Sequence, residues 1–328
     1  MKICIYGAGA VGGVIAARLA AAGHEISVVA RGAQLTAIRE QGLRIRTAAS
    51  KDATLVRLRA ESDPAALGAQ DYVIIAVKGH ALQEVAAAIG PLLAPQTSVV
   101  TAMNGIPWWF FDRLPFGGGR LHLESLDPGG TISRAIPTSQ VIGCVVHLAA
   151  SVAEPGLIHH NMGARLILGE AGGRNTERTR RIAAALREAG FEVEESAFIE
   201  KDFWVKLLGN VSFNPVAALT LATADRLIAD PLVKDFMVTI MRECLAIGRA
   251  VGVDADIDPD ARMDMARQLG VFKPSMLQDL EAGKALEIDG LLTATLEVAR
   301  RAGVAAPATE SLLGLIRLRA ETTRQYAR

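Results

Sequence analysis

Lys206, Asn210 and Asn214 stand four residues apart in the run Trp204-Val-Lys-Leu-Leu-Gly-Asn-Val-Ser-Phe-Asn-Pro215. On a helix that spacing projects all three from one stripe. Their neighbours Trp204, Val205, Leu207, Leu208, Val211 and Phe213 are apolar. An ammonium and two amides are costly to bury in such company unless something hydrogen-bonds them. A bound polar substrate would do so. The ammonium could also protonate a carbonyl oxygen, and its charge would stabilise the alkoxide that develops there.

The start of the chain announces a second reactant. Met1-Lys-Ile-Cys-Ile-Tyr6 reads as a buried strand, and Gly7-Ala-Gly9-Ala-Val-Gly12 follows at once. Val14 to Ala22 reads as a helix stopped by Gly23, and Ile26 to Ala30 as a second buried strand. A G-x-G-x-x-G run in this strand–turn–helix–strand context signals dinucleotide binding. Gly7 permits the tight turn, Gly9 the approach of backbone N–H groups to a pyrophosphate, and Gly12 close helix–sheet packing. NAD-binding folds usually carry an acidic residue at the end of the second strand, for the ribose 2′-hydroxyl. Here Ala30-Arg31 stands instead. A guanidinium can hold a 2′-phosphate through paired charge-assisted bonds, which predicts NADP(H) over NAD(H).

A chain of 328 residues suggests two domains. Half of it is hydrophobic and 21% is charged, with Lys+Arg and Asp+Glu both at 35. That balance gives no reason to expect nucleic acid as a partner. No apolar run reaches the ~20 residues of a membrane span, and residues 1–23 do not read as a signal peptide. Cys4, Cys144 and Cys244 lie far apart without metal-ligand spacing, as expected of buried thiols in a reducing, cytoplasmic setting. No metal is expected.

Residues 1–103 alternate strand and helix. Apolar strands at 71–77 and 97–103 end at Lys78 and Asn104. Ligands of such sheets bind beyond the carboxyl ends of the strands. Residues 106–140, with Pro107-Trp-Trp-Phe-Phe111, break the rhythm, and residues 106–130 within them read as a substrate-facing lid or an intersubunit arm. Strands at 141–149, 156–160, 164–169 and 191–195 and a helix at 176–189 complete the first half. Helices follow at 200–222, 231–251, 258–269, 274–282, 287–302 and 307–325. The expected class is α/β: an N-terminal Rossmann-like doubly wound sheet over 1–197 and an all-helical substrate and dimerisation domain over 198–328. The apolar helical half suggests a homodimer.

With these landmarks the chain resembles the ketopantoate reductases (2-dehydropantoate 2-reductases) from end to end. The resemblance rests on Gly7 to Gly12 with Arg31, on Lys78 and on Asn104-Gly105. It rests further on Trp204-x-Lys206-x3-Asn210-x3-Asn214-Pro215, and on Ser275-Met-Leu-Gln-Asp279 followed by Glu287-Ile-Asp289. It implies NADPH-dependent reduction of 2-dehydropantoate to (R)-pantoate in pantothenate biosynthesis, with Lys206 as proton donor and Glu287 beside it. Asn104, Asn210, Asn214 and Ser275 would hold the small 2-oxo acid. Gly7, Ala8, Gly9, Ala10, Val11 and Gly12 would bind the cofactor, with Arg31, Lys78, Asn104, Ala149 and Glu287. The aromatic run after Gly105 departs from the family pattern and bears on the choice of substrate. Two alternatives share the scaffold: an NADPH-dependent reductase of a different 2-oxo acid, and a non-catalytic NADP(H) sensor.

Overall fold

The structure, a computed structural model, describes residues 1–326 other than Lys51, Arg120 and Leu269. The chain divides into two compact units. One comprises Met1–Met103 and Gly129–Ile199; the other comprises Asn104–Pro128 and the chain from Glu200 onward. The stretch 104–128, which sequence reasoning placed with the nucleotide half, groups by its contacts with the helices.

The first unit opens β1 (Lys2–Tyr6), α1 (Ala10–Ala21), β2 (Glu25–Val29), α2 (Gly32–Gln41), β3 (Leu43–Thr47), β4 (Thr54–Val56) and β5 (Arg59–Glu61). It continues β6 (Tyr72–Ile75), α3 (Leu82–Ala88), β7 (Ser98–Thr101), α4 (Thr131–Ala135), β8 (Val141–Glu154), β9 (Leu157–Gly169), α5 (Glu177–Glu188) and β10 (Glu192–Glu195). Among the described residues ten strands form one sheet in the order β4-β3-β9-β8-β7-β6-β1-β2-β5, with β10 paired to β9. β1 pairs in parallel with β2 on one side and β6 on the other, so the strand order reverses there. That reversal is the topological switch point at which α/β sheets bind ligands. The fold is therefore Rossmann-like, as expected, although the sheet is mixed. β3 pairs antiparallel with β4, and β8 with β9. Ile3, Cys4 and Ile5 are fully buried in succession, which a central strand covered on both faces requires.

The corner between β9 and α5 is locked by Glu170, which is 8% exposed. Its carboxylate accepts from the Thr176 N–H, the hydroxyls of Thr176 and Thr179, and the Arg178 guanidinium. Burial alone would raise its pKa, but these donors outweigh burial and bring it to about 2. A depressed carboxylate stabilises the fold above its unfolded pKa and loses that contribution as pH falls toward its folded value. Glu170→Gln is expected to cost about 3 kcal/mol in urea unfolding at neutral pH. It should also flatten the loss of stability that the wild type shows between about pH 4.5 and pH 2. Equal urea midpoints at neutral pH would contradict this.

The second unit contains α6 (Ile199–Thr220), α7 (Ala224–Ala229), α8 (Pro231–Ala250), α9 (Pro259–Gln268), α10 (Ser275–Glu281), α11 (Ala294–Ala302) and α12 (Pro307–Thr322). The expected helices are thus present with bounds shifted at one or both ends, and α7 was not expected; Leu269, the last residue of the expected 258–269 helix, lies outside the described residues. A π-helical turn, Asp289–Thr293, replaces the start of the expected 287–302 helix. None of these helices is long and apolar enough to cross a membrane, among the described residues.

The aromatic run is neither lid nor arm. Trp109, Phe110 and Phe111 are at most 1% exposed. Trp109 meets Phe203 edge-on at 5.5 Å between ring centroids, and Phe110 lies 5.7 Å from Trp204. Trp204 donates from Nε1 to the Cys244 carbonyl at 3.1 Å, tying α6 to α8. Glu297 of α11 accepts the backbone N–H groups of Glu124 and Ser125 and so anchors the far end of the segment. The run lacks periodicity because it plugs a helical core without forming an element of its own. All three cysteines are free and buried.

Candidate active site

In the first unit the glycine-rich turn lies between β1 and α1. The Gly7 N–H donates to the Val29 carbonyl at 3.0 Å, and Gly13 N to Gly9 O at 2.7 Å. The Gly13 bond is the first that α1 makes to its own backbone, so the N–H groups before it have no acceptor inside the helix. No acidic side chain occupies the first turn of α1. These groups are free to meet an anion. A Cβ on Gly12 would come 2.0 Å from the Gly7 carbonyl oxygen, whereas a Cβ on Gly9 would meet nothing within 4 Å. Gly12 is therefore required by packing, and the open space at Gly9 fits a dinucleotide pyrophosphate. Gln34 braces the turn: its Nε2 donates to the Ala8 carbonyl at 2.7 Å, and its Oε1 accepts the Gly156 N–H at 2.9 Å.

Arg31 follows β2 and caps α2 in an extended conformation. Its side chain is 72% exposed and pairs with Glu84 at 2.5 Å. Lys78 is half-buried beyond β6, where it precedes a short 3-10 turn. Ala149 lies where the β8–β9 register slips on both sides. Such irregularities re-aim side chains and are common beside active sites.

The second unit assembles the polar stripe. Lys206 and Asn210 are half-buried on α6, and Asn214 is 6% exposed. Pro215 lies inside the same helix and has no N–H for the carbonyl four residues before it. Lys206 donates from Nζ to Asn104 Oδ1 at 2.8 Å, a contact spanning 102 positions of sequence. The turn that carries Asn104 is docked on the π-helical segment: Ile106 N donates to Gly290 O at 2.9 Å. Gly105 has φ +84°, and a Cβ there would come 2.4 Å from the Gly290 oxygen. Only glycine fits, and the docking brings Asn104 to the stretch that begins at Glu287. Asp289 in that stretch accepts from Thr293 Oγ1 at 2.9 Å and from the Tyr326 hydroxyl at 2.8 Å. π-helical turns recur at functional sites. The side chains of Asn210, Asn214 and Ser275 make no hydrogen bond among the described residues. Ser275 is exposed at the first position of α10, and nothing ties it directly to Lys206.

The first unit thus has the form of a dinucleotide-binding fold, and the second presents an ammonium among amides, groups that an oxidoreductase could use. The ketopantoate reductase PanE/ApbA family matches residues 3–108, and its C-terminal domain family matches residues 199–320. A 2-dehydropantoate 2-reductase of Mesorhizobium japonicum is 44% identical over 97% of both chains. A solved structure from Ralstonia solanacearum aligns with TM-score 0.94 and 49% identity over 99% of both chains. A PanE/ApbA family ketopantoate reductase from Ralstonia eutropha aligns with TM-score 0.84 and 30% identity, covering 99% of this chain and 100% of that one. The chain belongs to the ketopantoate reductase family.

Sequence reasoning passed over Arg262 on α9, whose Nη2 lies 3.6 Å from where a Gly209 Cβ would sit. The available signal was Gly209 itself. A glycine within a helix weakens it and usually has a packing or functional reason.

Proposed function

We propose that the protein is an NADP-dependent oxidoreductase that reduces 2-dehydropantoate to (R)-pantoate, a step of pantothenate biosynthesis. The observation that carries this reading is the Lys206–Asn104 hydrogen bond at 2.8 Å beside two amides with unused hydrogen-bonding capacity. NADPH, when bound, supplies the hydride to the carbonyl carbon. Lys206 gives its Nζ proton to the carbonyl oxygen, and its charge stabilises the oxygen as negative charge grows there. Asn104 accepts from Nζ and so aims the remaining protons away from itself. Asn210 and Asn214 hold the polar groups of the acid, Ser275 offers its hydroxyl to the carboxylate, and Glu287 binds a substrate hydroxyl or pairs with Lys206. Residues 1–197 serve the cofactor, with Gly7, Ala8, Gly9, Ala10, Val11 and Gly12 around the pyrophosphate and Lys78, Ala149 and Asn104 near the nicotinamide, where Glu287 of the C-terminal half joins them. Residues 198–328 serve substrate and dimerisation.

Purified protein with NADPH and a panel of 2-oxo acids tests the reading. The expected result is a kcat/KM for 2-dehydropantoate of at least ~10⁴ M⁻¹s⁻¹, well above the other acids. Faster turnover of another acid would move the substrate, and silence across the panel would favour a sensor.

Arg31 takes the 2′-phosphate of NADPH. Its pairing with Glu84 is solvent-exposed, and such pairs are worth ~1 kcal/mol or less, so a phosphate can displace the carboxylate. Arg31→Ala is expected to cut the preference for NADPH over NADH by roughly tenfold or more. An unchanged ratio of the two kcat/KM values would remove Arg31 from cofactor selection.

The protein acts as a cytoplasmic homodimer. Buried free thiols support the first part. Leu232, Val271, Leu315 and Leu318, each more than half exposed in the second unit, support the second. Analytical ultracentrifugation reads the oligomeric state directly.

A further inference from the structure

Among the described residues Arg262 is a cation without a counterion. It is half-buried on α9 and takes part in no ion pair among the described residues. Its basic neighbours differ: Lys234 and Arg242 of α8 share Asp260, two positions earlier on α9, at 3.0 and 3.3 Å. Arg262 is directed instead onto α6. Its Nη2 lies 3.6 Å from the Cβ position of Gly209, the residue immediately before Asn210 and three after Lys206. Residues three apart on a helix have Cβ positions roughly 5–6 Å apart. The guanidinium therefore reaches the same stretch of α6 as the ammonium of Lys206.

Drawing a guanidinium partly out of water without a partner is unfavourable. Burial lowers its pKa, and no neighbouring carboxylate offsets that. Gly209 adds a second cost, because glycine inside a helix costs roughly 0.5–1 kcal/mol relative to alanine. Both costs are accounted for by an anionic ligand lying across Gly209. The fixed fork of a guanidinium matches a carboxylate through two parallel hydrogen bonds.

We propose that Arg262 binds the carboxylate of the 2-oxo acid substrate and selects acids over neutral carbonyl compounds. This rests on the reading of the protein as a 2-oxo acid reductase. Lys206 then holds the keto oxygen while Arg262 holds the carboxylate beside it, which orients the carbonyl face.

The test is calorimetric binding to the enzyme saturated with NADP⁺, so that no turnover occurs. The probes are 2-dehydropantoate and its neutral lactone, on the wild type, Arg262→Met and Arg262→Lys. The proposal expects Arg262→Met to weaken the acid on the order of 100-fold while leaving the lactone unchanged, with Arg262→Lys in between. Thermal unfolding of Arg262→Met should match or exceed that of the wild type, since an unpaired charge is removed. Equal acid affinity in wild type and Arg262→Met would overturn the assignment. So would a parallel loss for acid and lactone, which marks a structural residue. A wild type that binds no 2-oxo acid overturns the reductase reading itself, and this proposal with it.

Discussion

Lys206→Ala is expected to lower kcat by about 10²–10⁴-fold while the affinity for NADPH stays near that of the wild type. The direction follows from where the residue stands. Lys206 lies in the second unit, on a helix that shares its polar stripe with Asn210 and Asn214, and its hydrogen bond to Asn104 stays within that unit. The glycine-rich turn, Arg31 and Lys78 belong to the first unit. On the proposed mechanism, deleting the ammonium removes the proton and the charge needed at the carbonyl oxygen, and it leaves the glycine-rich turn intact. Stability should barely fall. Truncation leaves Asn104 without that donor, but Asn104 is half-buried and water can replace it. Steady-state kinetics and a fluorescence titration with NADPH separate the two effects. Turnover near the wild-type rate would take Lys206 out of the mechanism, and a matching loss of NADPH affinity would show a structural defect. Asn104→Ala offers a graded companion. It should lower kcat by a smaller factor, because it disorders the donor without removing it.

The second large effect is a contrast within one turn. Gly12→Ala places a methyl 2.0 Å from the Gly7 carbonyl oxygen, a distance no carbon–oxygen contact tolerates. The turn or α1 must shift, and α1 packs on the core through Val14, Ile15 and Leu19, all at most 1% exposed. Overpacking at a backbone contact is expected to cost at least about 3 kcal/mol. Gly9→Ala meets nothing within 4 Å, and the Gly9 backbone (φ −79°, ψ −154°) suits any residue. It should unfold like the wild type. Its methyl would nevertheless stand where the pyrophosphate approaches, so NADPH affinity should fall roughly tenfold or more. Thermal unfolding with and without NADPH reads both variants. A stable Gly12→Ala, or a Gly9→Ala that retains full NADPH affinity, would contradict the assignment of roles within the motif.

Much of this was legible in the chain because it depends on local spacing. Continuous apolar runs mark β1, β2, β6 and β7, and period-3.6 patterns mark the long helices, since those strands are buried on both faces and the helices on one. The i, i+4 spacing of Lys206, Asn210 and Asn214 needs only the geometry of a helix. The short strands β3, β4 and β5 passed unread. With three to five residues each, they take their order from neighbours, as Arg44 to Thr47 do by pairing with Leu157 to His160. Pro107 to Phe111 reads as a loop because nothing in its own order repeats; its place is set by Phe203 and Trp204, about a hundred positions away. The polar chemistry divides the same way. That Lys206 meets Asn104, that Gly105 must be glycine because Gly290 leaves no room, and that Arg262 crosses Gly209 with no ion pair among the described residues are long-range facts. The sequence by itself determined which residues could do chemistry and the elements that carry them, because those follow from covalent order and helical or strand periodicity. The tertiary structure alone decided which of them meet, because apolar burial brings distant segments together and only then sets the distances at which a proton or a charge can act.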